Sequence, residues 1–204
     1  MKFTVSWLRE YLEFDASLEE LSEKLTSIGL EVEEIVDRAK ELAAFKVCHV
    51  LKAEQHPDAD RLRVCQVETA DGVVQVVCGA PNARTGMKGV FAASGVYVPG
   101  TDLLLKPSKI RGVESYGMLC SGAELGVGED SEGIADLAED LAVGTLAAEA
   151  FDIDDAVIDF EVTPNRPDWL GVRGIARALA ALGAGRFIEA SAPKFSGTFD
   201  CPVE

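Results

Sequence analysis

The chain has 204 residues, of which 48% are hydrophobic and 26% are charged, as in a folded globular protein with one large or two small domains. This composition excludes intrinsic disorder and a collagen-like repeat, and no apolar run approaches the ~20 residues that a membrane-spanning helix needs. The formal net charge of −16, taken as a single number, argues against a nucleic-acid partner.

The negative charge is unevenly distributed along the chain. Residues 1–45 carry 5 basic and 11 acidic side chains, residues 46–118 carry 9 and 7, and residues 119–204 carry 5 and 17. The three net charges are therefore −6, +2 and −12. The middle segment differs electrostatically from both of its flanks.

The first forty residues predict two short helices and a strand. Residues 6–12 have a helical pattern, and Ser17 with Glu20 forms a capping box at the start of a second helix. One apolar stripe on that helix is made by Leu18, Leu21, Leu25 and Ile28. Gly29 ends the helix, and residues 31–36 read as a strand. Forty residues are too few to hold a core alone, so this segment needs a partner elsewhere in the chain.

From Phe45 the hydrophobic period changes to two. Strands are predicted at residues 45–50, 62–67 and 73–78, and Asp71-Gly72 predicts a hairpin turn before the third. Short glycine-rich segments follow at residues 86–92, 96–100 and 110–113. Short strands separated by turns favour a small β-barrel of about five strands, with the proportions of an OB-fold.

Helical periodicity returns after about residue 140. A strand at residues 157–162 precedes a rigid loop with two prolines, and Asp168 is a plausible N-cap for the helix that follows. The apolar stripe of that helix is Val172, Ile175, Leu179 and Leu182. Gly183 ends the helix, and residues 191–204 read as a linker to a missing C-terminal part.

These elements predict an α+β protein in which an OB-fold β-barrel is inserted into a small discontinuous α/β domain. Residues 1–40 and 150–190 form the discontinuous N-terminal domain, and residues 41–149 form the inserted domain. Each helix–strand fragment lacks a core of its own, which is why the two are expected to fold together.

Catalytic patterns are absent from the sequence. There is no phosphate-binding glycine loop, zinc-protease helix or serine nucleophile elbow. The nearest nucleophile–base pair is Cys120 with His49 or His56, and no pattern places either histidine beside the thiol. We expect no catalytic residue in this chain.

Cysteines and acidic clusters favour structural over metal-binding roles. The five cysteines have no metal-ligand spacing, and an odd number without a signal peptide at residues 1–6 predicts free thiols in the cytoplasm. The acidic groups at residues 129–136 and 152–155 lack the EF-hand spacing. We therefore expect solvated acidic faces and no metal site.

Three sequence blocks carry a resemblance to a known family. They are HPDADRLRVC at residues 56–65, VCGAPN at residues 77–82 and IRGVESYGMLCS at residues 110–121. In this order they resemble the tRNA-binding OB-fold domain that several synthetases share with free tRNA-binding proteins.

The flanking segments resemble one member of that group, the bacterial phenylalanyl-tRNA synthetase β-subunit family. The matching segments are residues 2–8 (KFTVSWL), 124–126 with 133–134, and 163–168 (TPNRPD) with 174–179. The resemblance covers about residues 1–185, and Trp169 departs from it because the family often has cysteine there.

The resemblance implies a function for the parent protein. The family's β subunit is several times longer than this chain, so the chain is expected to be an N-terminal fragment. The parent would be a cytoplasmic (αβ)₂ ligase with an α-subunit partner, and would use ATP and Mg²⁺ to charge tRNA with phenylalanine. The aminoacylation site would lie in the α subunit, leaving the fragment without a cofactor.

The candidate tRNA contacts are Lys46, His56, Arg61, Asn82, Lys88, Lys109, Arg111, Ser115 and Met118. We expect Lys109 and Arg111 to meet phosphate, while Ser115 and Met118 match the motif segment that contacts tRNA in free-standing relatives. Asn82 either reaches a nucleotide or closes its turn. The modest charge of the middle segment predicts auxiliary, salt-sensitive binding.

Two other readings remain open at this stage. In one, the barrel is a docking module of the synthetase that makes little contact with RNA, which the acidic flanks favour. In the other, the chain is a stand-alone tRNA-binding factor or an amidohydrolase-like enzyme that uses Cys120.

Overall fold

The computed structural model describes residues 1–189 and Gly197, and the chain divides into two compact units. The terminal unit joins Met1–Val36 to the chain from Ala156 onward, and the middle unit is Asp37–Asp155. The predicted linker at residues 191–204, including Cys201, lies outside the described residues except for Gly197.

The strands of the described residues are β1 (Lys2–Thr4), β2 (Leu12–Glu13), β3 (Glu31–Val36), β4 (Phe45–His56), β5 (Ala59–Thr69), β6 (Gly72–Cys78), β7 (Lys88–Ala93), β8 (Tyr97–Val98), β9 (Leu103–Leu104), β10 (Ser108–Ile110), β11 (Val113–Ser115), β12 (Gly117–Cys120), β13 (Val157–Glu161) and β14 (Arg186–Phe187). The helices are α1 (Val5–Arg9), α2 (Leu18–Ser27), α3 (Arg38–Glu41), α4 (Ala147–Ala150) and α5 (Val172–Ala181). Two 3₁₀ turns occupy Pro99–Thr101 and Pro167–Leu170.

The terminal unit is built on a three-stranded antiparallel sheet in the order β1-β13-β3. The central strand comes from the second chain segment, with Ile158 opposite Phe3 of β1 and opposite Ile35 of β3. Phe3 and Phe160 stack edge to face at 5.5 Å between ring centroids. One buried cluster continues from these strands into α1, α2 and α5, so both segments contribute to a single core.

Helix α2 has the ends that its sequence predicts. The Ser17 hydroxyl accepts the Glu20 N–H at 3.2 Å, and the Glu20 carboxylate accepts the Ser17 N–H at 2.9 Å, which confirms the capping box. Leu21 and Leu25 are fully buried, and Gly29 follows the helix with φ 97°.

The predicted N-cap at Asp168 is wrong, because α5 begins three residues later, after Gly171. Asp168 belongs to the preceding 3₁₀ turn, where its carboxylate accepts two hydrogen bonds from the Arg166 guanidinium at 2.9 and 3.0 Å. These bonds hold the pKa of Asp168 below its usual value. The last stripe residue, Leu182, is 47% exposed because the helix ends before it.

Trp169, the position that departs from the resemblance, fills the core of the terminal unit. Its side chain is 2% exposed, and the Arg166 guanidinium lies 3.3 Å from its ring centroid. The indole N–H has no hydrogen-bond partner within the described residues.

A five-stranded antiparallel sheet in the order β12-β7-β4-β5-β6 forms the framework of the middle unit. The three predicted strands are confirmed, and β4 and β5 extend well beyond their predicted bounds as one long hairpin. The predicted turn at Asp71-Gly72 is one residue too late, since Gly72, at φ 123°, pairs with Thr69 and already belongs to β6. In the glycine-rich segment 110–113, Ile110 pairs with Val113, and Arg111 and Gly112 form the turn of the β10–β11 hairpin.

Hydrogen bonds connect β6 to the segment that contains β11 and β12. The Tyr116 N–H donates to the Gln75 carbonyl at 3.0 Å, and the Val77 N–H donates to the Ser115 hydroxyl at 3.0 Å. The Gln75 side-chain amide donates to the Glu114 carbonyl at 2.8 Å. The two outer strands of the sheet are therefore joined through this segment.

The acidic segment 119–155 belongs to the middle unit and runs beside β4 and β7. Leu137 forms a β-bridge with Lys88, and Leu146 forms one with Lys46. The whole unit accordingly carries 11 basic and 20 acidic side chains, a net charge of −9. The net charge of +2 at residues 46–118 describes a sequence window and not the folded unit.

We expect Gly174→Ala to destabilise the terminal unit. A Cβ at Gly174 would lie 1.8 Å from the Asp168 carbonyl oxygen, so the added methyl should cost about 1–3 kcal/mol or more through backbone displacement. Urea unfolding followed by tryptophan fluorescence measures this, because Trp7 and Trp169 both lie in the terminal unit.

Gly171→Ser is the matched control, since a Cβ at Gly171 meets no atom within 4 Å and serine can cap α5. This variant should unfold at or above the wild-type urea midpoint. Equal midpoints for Gly174→Ala and wild type would contradict the steric argument.

Candidate nucleic-acid interface

Two hairpin tips of the middle unit meet at His56. The imidazole Nδ1 accepts the Asp58 N–H at 3.1 Å, so Nε2 carries the proton and donates to the Ile110 carbonyl at 3.2 Å. His56 is 2% exposed. The structure therefore places this candidate contact as a buried brace between the β4–β5 and β10–β11 hairpins, with both ring nitrogens occupied.

Arg111 stands at the tip of the second hairpin. Ile110 pairs with Val113, which leaves Arg111 and Gly112 as a two-residue loop with φ of 45° and 89°. Such loops need positive φ at both positions, a conformation that costs a side-chain-bearing residue about 1–2 kcal/mol. The exposed arginine is thus held in an unfavourable backbone conformation at a projecting point of the surface.

Several cations near these tips have no carboxylate within ion-pair distance in the described part of the chain. We define the tip cations as Arg61, Lys109 and Arg111, all of which are exposed. Elsewhere in the unit, Lys52 pairs with Glu54 at 2.8 Å and Arg84 pairs with Asp136 at 2.9 Å. The tip cations are therefore available to an external anion.

Lys46 and Lys88 do not join this group. Lys46 is the second residue of β4 and His56 is its last, so they lie roughly 30 Å apart along the strand at ~3.3 Å per residue. Lys88 pairs with His49 in the same half of β4, and both lysines are half-buried beside the acidic segment.

Ser115 and Asn82 both use their side chains within the fold. The Ser115 hydroxyl accepts the Val77 N–H and donates to the Gly117 carbonyl at 3.3 Å, and the residue is 3% exposed. The Asn82 amide donates to the Ile134 carbonyl at 2.8 Å and accepts the Ile134 N–H at 2.9 Å. This two-point bond attaches the acidic segment to the sheet.

Met118, half-buried in β12, lines a cleft of about 460 Å³. The lining includes Lys106, Ser108 and Ile110 from one segment and residues 131–134 from another. The Glu124 carboxylate also lines it, with Oε2 accepting the Ser121 N–H at 2.6 Å and the Ser121 hydroxyl at 3.0 Å.

Lys106 and Glu124 were missed among the predicted site residues. The alternation of Lys106, Ser108 and Ile110 has the period of a strand and was the available signal for one wall. That Glu124 lines the same cleft depends on long-range contacts that no local pattern encodes.

Cys120 lacks the properties of a nucleophile. Its thiol is fully buried, and burial raises its pKa, whereas a reactive thiol needs a lowered pKa. The histidines are engaged elsewhere, His49 with Glu68 at 3.4 Å and His56 with the two hairpins. Burial also raises the pKa of Cys48 to about 12 and that of Cys65 to about 11.

The described residues contain neither a metal-ligand cluster nor a membrane-spanning helix. Across residues 1–189 and Gly197, no three His, Cys, Asp or Glu side chains come together in a group that could hold a metal ion. In that same part of the chain, no helix has the length and apolar character needed to cross a membrane.

A family model described as "Putative tRNA binding domain" matches residues 45–146, half of the chain. Those residues contain the long hairpin, the tip cations and the cleft.

Curated relatives match the chain along its whole length. The phenylalanine–tRNA ligase β subunit of Bradyrhizobium diazoefficiens is 54% identical over 206 residues, covering 100% of this chain and 26% of the relative. The corresponding subunit of Mesorhizobium japonicum is 55% identical, with the same coverage. The chain spans about a quarter of the length of these relatives.

Among solved structures, the chain is similar to a MetRS-related protein from Pyrococcus horikoshii. The identity is 26% and the TM-score is 0.40, over 56% of this chain and 99% of that protein.

We expect Asn82→Ala to destabilise the middle unit by about 1–3 kcal/mol, because both backbone groups of Ile134 lose their partner. Urea unfolding followed by far-UV circular dichroism gives the free energy, and amide exchange at Ile134 should accelerate. Arg84→Ala removes only the exposed ion pair with Asp136, so it should lower the free energy of unfolding by less than ~1 kcal/mol. Equal effects of the two variants would contradict the structural role of Asn82.

The buried thiols predict a loss of stability at alkaline pH. Unfolded thiols ionise near pH 9, whereas folded Cys48 and Cys65 stay protonated to about 12 and 11. Their contribution is constant below pH 9 and is lost as the pH rises above it, by up to about 1.4 kcal/mol per pH unit for each thiol. Between pH 8 and 10.5, the urea midpoint of Cys48→Ala should fall less steeply with pH than that of the wild-type chain. Identical slopes would show that the Cys48 thiol does not cause the loss of stability.

Proposed function

Given that the chain belongs to the tRNA-binding domain family and matches the phenylalanine–tRNA ligase β subunit along its whole length, we propose that it is the N-terminal, tRNA-contacting part of such a subunit. Its role is auxiliary binding of tRNA while the ligase attaches phenylalanine. The observation that carries the proposal is that the family match falls on the unit whose joined hairpin tips present three exposed cations without carboxylate partners in the described residues.

The domain organisation follows from the same proposal. The five-stranded sheet curls into an OB-type barrel, a reading supported by the hydrogen bonds from β6 to the β11–β12 segment. This barrel is inserted into a discontinuous domain made from the two ends of the chain, which is supported by the central position of β13 between β1 and β3.

Electrostatics limit how strongly this unit can hold tRNA. A net charge of −9 gives no general attraction to phosphate, so binding depends on local cations. At physiological salt, charges interact over about 8 Å, so the part of the acidic segment that bridges to Lys46 and Lys88 is screened from the tip cations. Glu124 and Glu132 of the same segment line the cleft with Ile110 and reduce the attraction there. Weak and strongly salt-dependent binding follows.

Within the whole ligase, the chemistry lies outside this chain. The parent is a cytoplasmic (αβ)₂ enzyme whose α subunit carries the aminoacylation site and which uses ATP and Mg²⁺. The described residues do not fit a magnesium site, since they form no group of three candidate ligands, and no catalytic step is assigned to them.

The docking function has one observation in its favour. The β8–β9 hairpin exposes Tyr97, Leu103 and Leu104 by about half each (52%, 48% and 52%), an apolar surface that another part of the ligase could cover. A docking module of this kind would show little affinity for RNA.

We expect Arg111→Ala to weaken tRNA binding and to flatten its salt dependence. Loss of one phosphate contact should reduce the slope of log K against log salt by about 1 between roughly 50 and 200 mM KCl. Filter binding of tRNA(Phe) to the 204-residue chain measures both quantities.

Arg84→Ala is the control, because this arginine is engaged by Asp136, and its slope should match wild type. An unchanged slope for Arg111→Ala would remove the tip from the interface. Absence of wild-type binding at low salt would instead favour the docking function.

A further inference from the structure

The cleft next to β10, henceforth the β10 cleft, has the size and lining of a small-ligand site. Its volume of about 460 Å³ lies within the roughly 300–1,000 Å³ of such sites. About half of the lining is apolar and includes Leu105, Ile110, Met118 and Ile134, and the polar side chains are four serines, Lys106, Glu124 and Glu132. A flat, partly apolar group with polar edges suits this lining better than a purely hydrophobic one.

The position of the β10 cleft connects it to the tip cations. Ile110 lines the cleft, accepts the brace from His56 and immediately precedes Arg111. Arg111 is thus one residue away from the lining of the cleft. We expect a nucleic-acid strand whose phosphates meet Arg111 to pass near the cleft.

Three charged side chains line the β10 cleft, namely Lys106, Glu124 and the exposed Glu132. Glu124 Oε2 accepts two hydrogen bonds from Ser121, while Oε1 accepts none from the described residues and is not a buried unpaired atom. A carboxylate oxygen of this kind accepts from an amino group and repels a carbonyl oxygen. Lys106 has no carboxylate partner within the same residues.

We propose that the β10 cleft holds one unpaired nucleotide of the bound tRNA, selected for a base with an exocyclic amine. This inference rests on the proposed tRNA binding and adds a subsite to it. The base lies against the apolar lining, its amine donates to the free oxygen of Glu124, and Lys106 meets the adjoining phosphate. Unpaired bases are the parts of an RNA that a protein can read along their hydrogen-bonding edges.

Filling the cleft is the first test. Ser131 is exposed and lines the cleft, so Ser131→Trp should occupy it and weaken tRNA(Phe) binding about tenfold, the scale of one lost base contact. Ala138→Trp, an exposed position in the same segment that does not line the cleft, should bind as wild type does. A 12-base-pair RNA duplex should bind Ser131→Trp and wild type equally.

Base choice is the second test. The wild-type chain should prefer an eight-residue oligocytidylate over oligouridylate by about tenfold, because cytosine donates its amine where uracil presents a carbonyl. Glu124→Gln keeps an acceptor for Ser121 but can present an amide N–H to the cleft, which should abolish or reverse the preference. Unchanged urea midpoints show that each variant is folded.

Lys106 and Lys109 provide a matched pair. Both lysines are exposed, and Lys106 lines the cleft. Lys109 does not line it, since in β10 its side chain points to the face opposite that of Ser108 and Ile110. Lys106→Ala should weaken binding of oligocytidylate more than binding of the duplex, whereas Lys109→Ala should weaken both alike.

The outcomes separate the two proposals. If wild type binds tRNA, Arg111→Ala weakens it and Ser131→Trp does not, the subsite is refuted while tRNA binding stands. If Ser131→Trp weakens tRNA binding but the wild-type chain binds oligocytidylate and oligouridylate equally, the cleft does not select a base with an exocyclic amine. If wild type fails to bind tRNA at low salt, both proposals fail.

Discussion

The surface of the middle unit depends on the junction between β6 and the β11–β12 segment. The Tyr116 N–H and the Ser115 hydroxyl bond to β6, and Gly117 then turns the chain into β12 with φ 147°. A Cβ at Gly117 would lie 2.5 Å from the Ala92 carbonyl oxygen, so β12 can approach β7 this closely only with glycine there. Because the β10–β11 hairpin immediately precedes the junction, the junction also fixes where Arg111 projects.

Several motif residues serve the fold and not an external ligand. His56, Asn82 and Ser115 belong to the blocks that carry the family resemblance, yet each directs its polar atoms to the protein's own backbone. These bonds position the tips and the cleft. Arg61 and Arg111 lie in the same blocks but stay exposed, as does Lys106 outside them.

Local signals account for most of what the sequence predicted correctly. The capping box at Ser17, the stop at Gly29 and the strand Glu31–Val36 each depend on residues within one element. Other features depend on contacts that a local pattern does not show. The Asp168 carboxylate bonds to Arg166 and so does not cap α5 as predicted. Arg111 has a positive φ in its turn, a conformation that is uncommon for arginine. Charge counting also ignores position along a strand, so it gave no sign that Lys46 and Lys88 lie in the other half of β4 from the tip cations.

Charge illustrates the same limit at a larger scale. The window 46–118 has a net charge of +2, but folding places the acidic segment against β4 and β7 through bridges at Lys46 and Lys88. The unit is therefore acidic beside one half of β4 and presents unpaired cations near its far end. Such a distribution weakens the long-range attraction between the unit and RNA phosphates. Phosphates that come within roughly one Debye length of the tip cations are still attracted to them. Under the proposed function, such a unit would hold tRNA that another part of the ligase has bound and would add selectivity through the proposed nucleotide subsite.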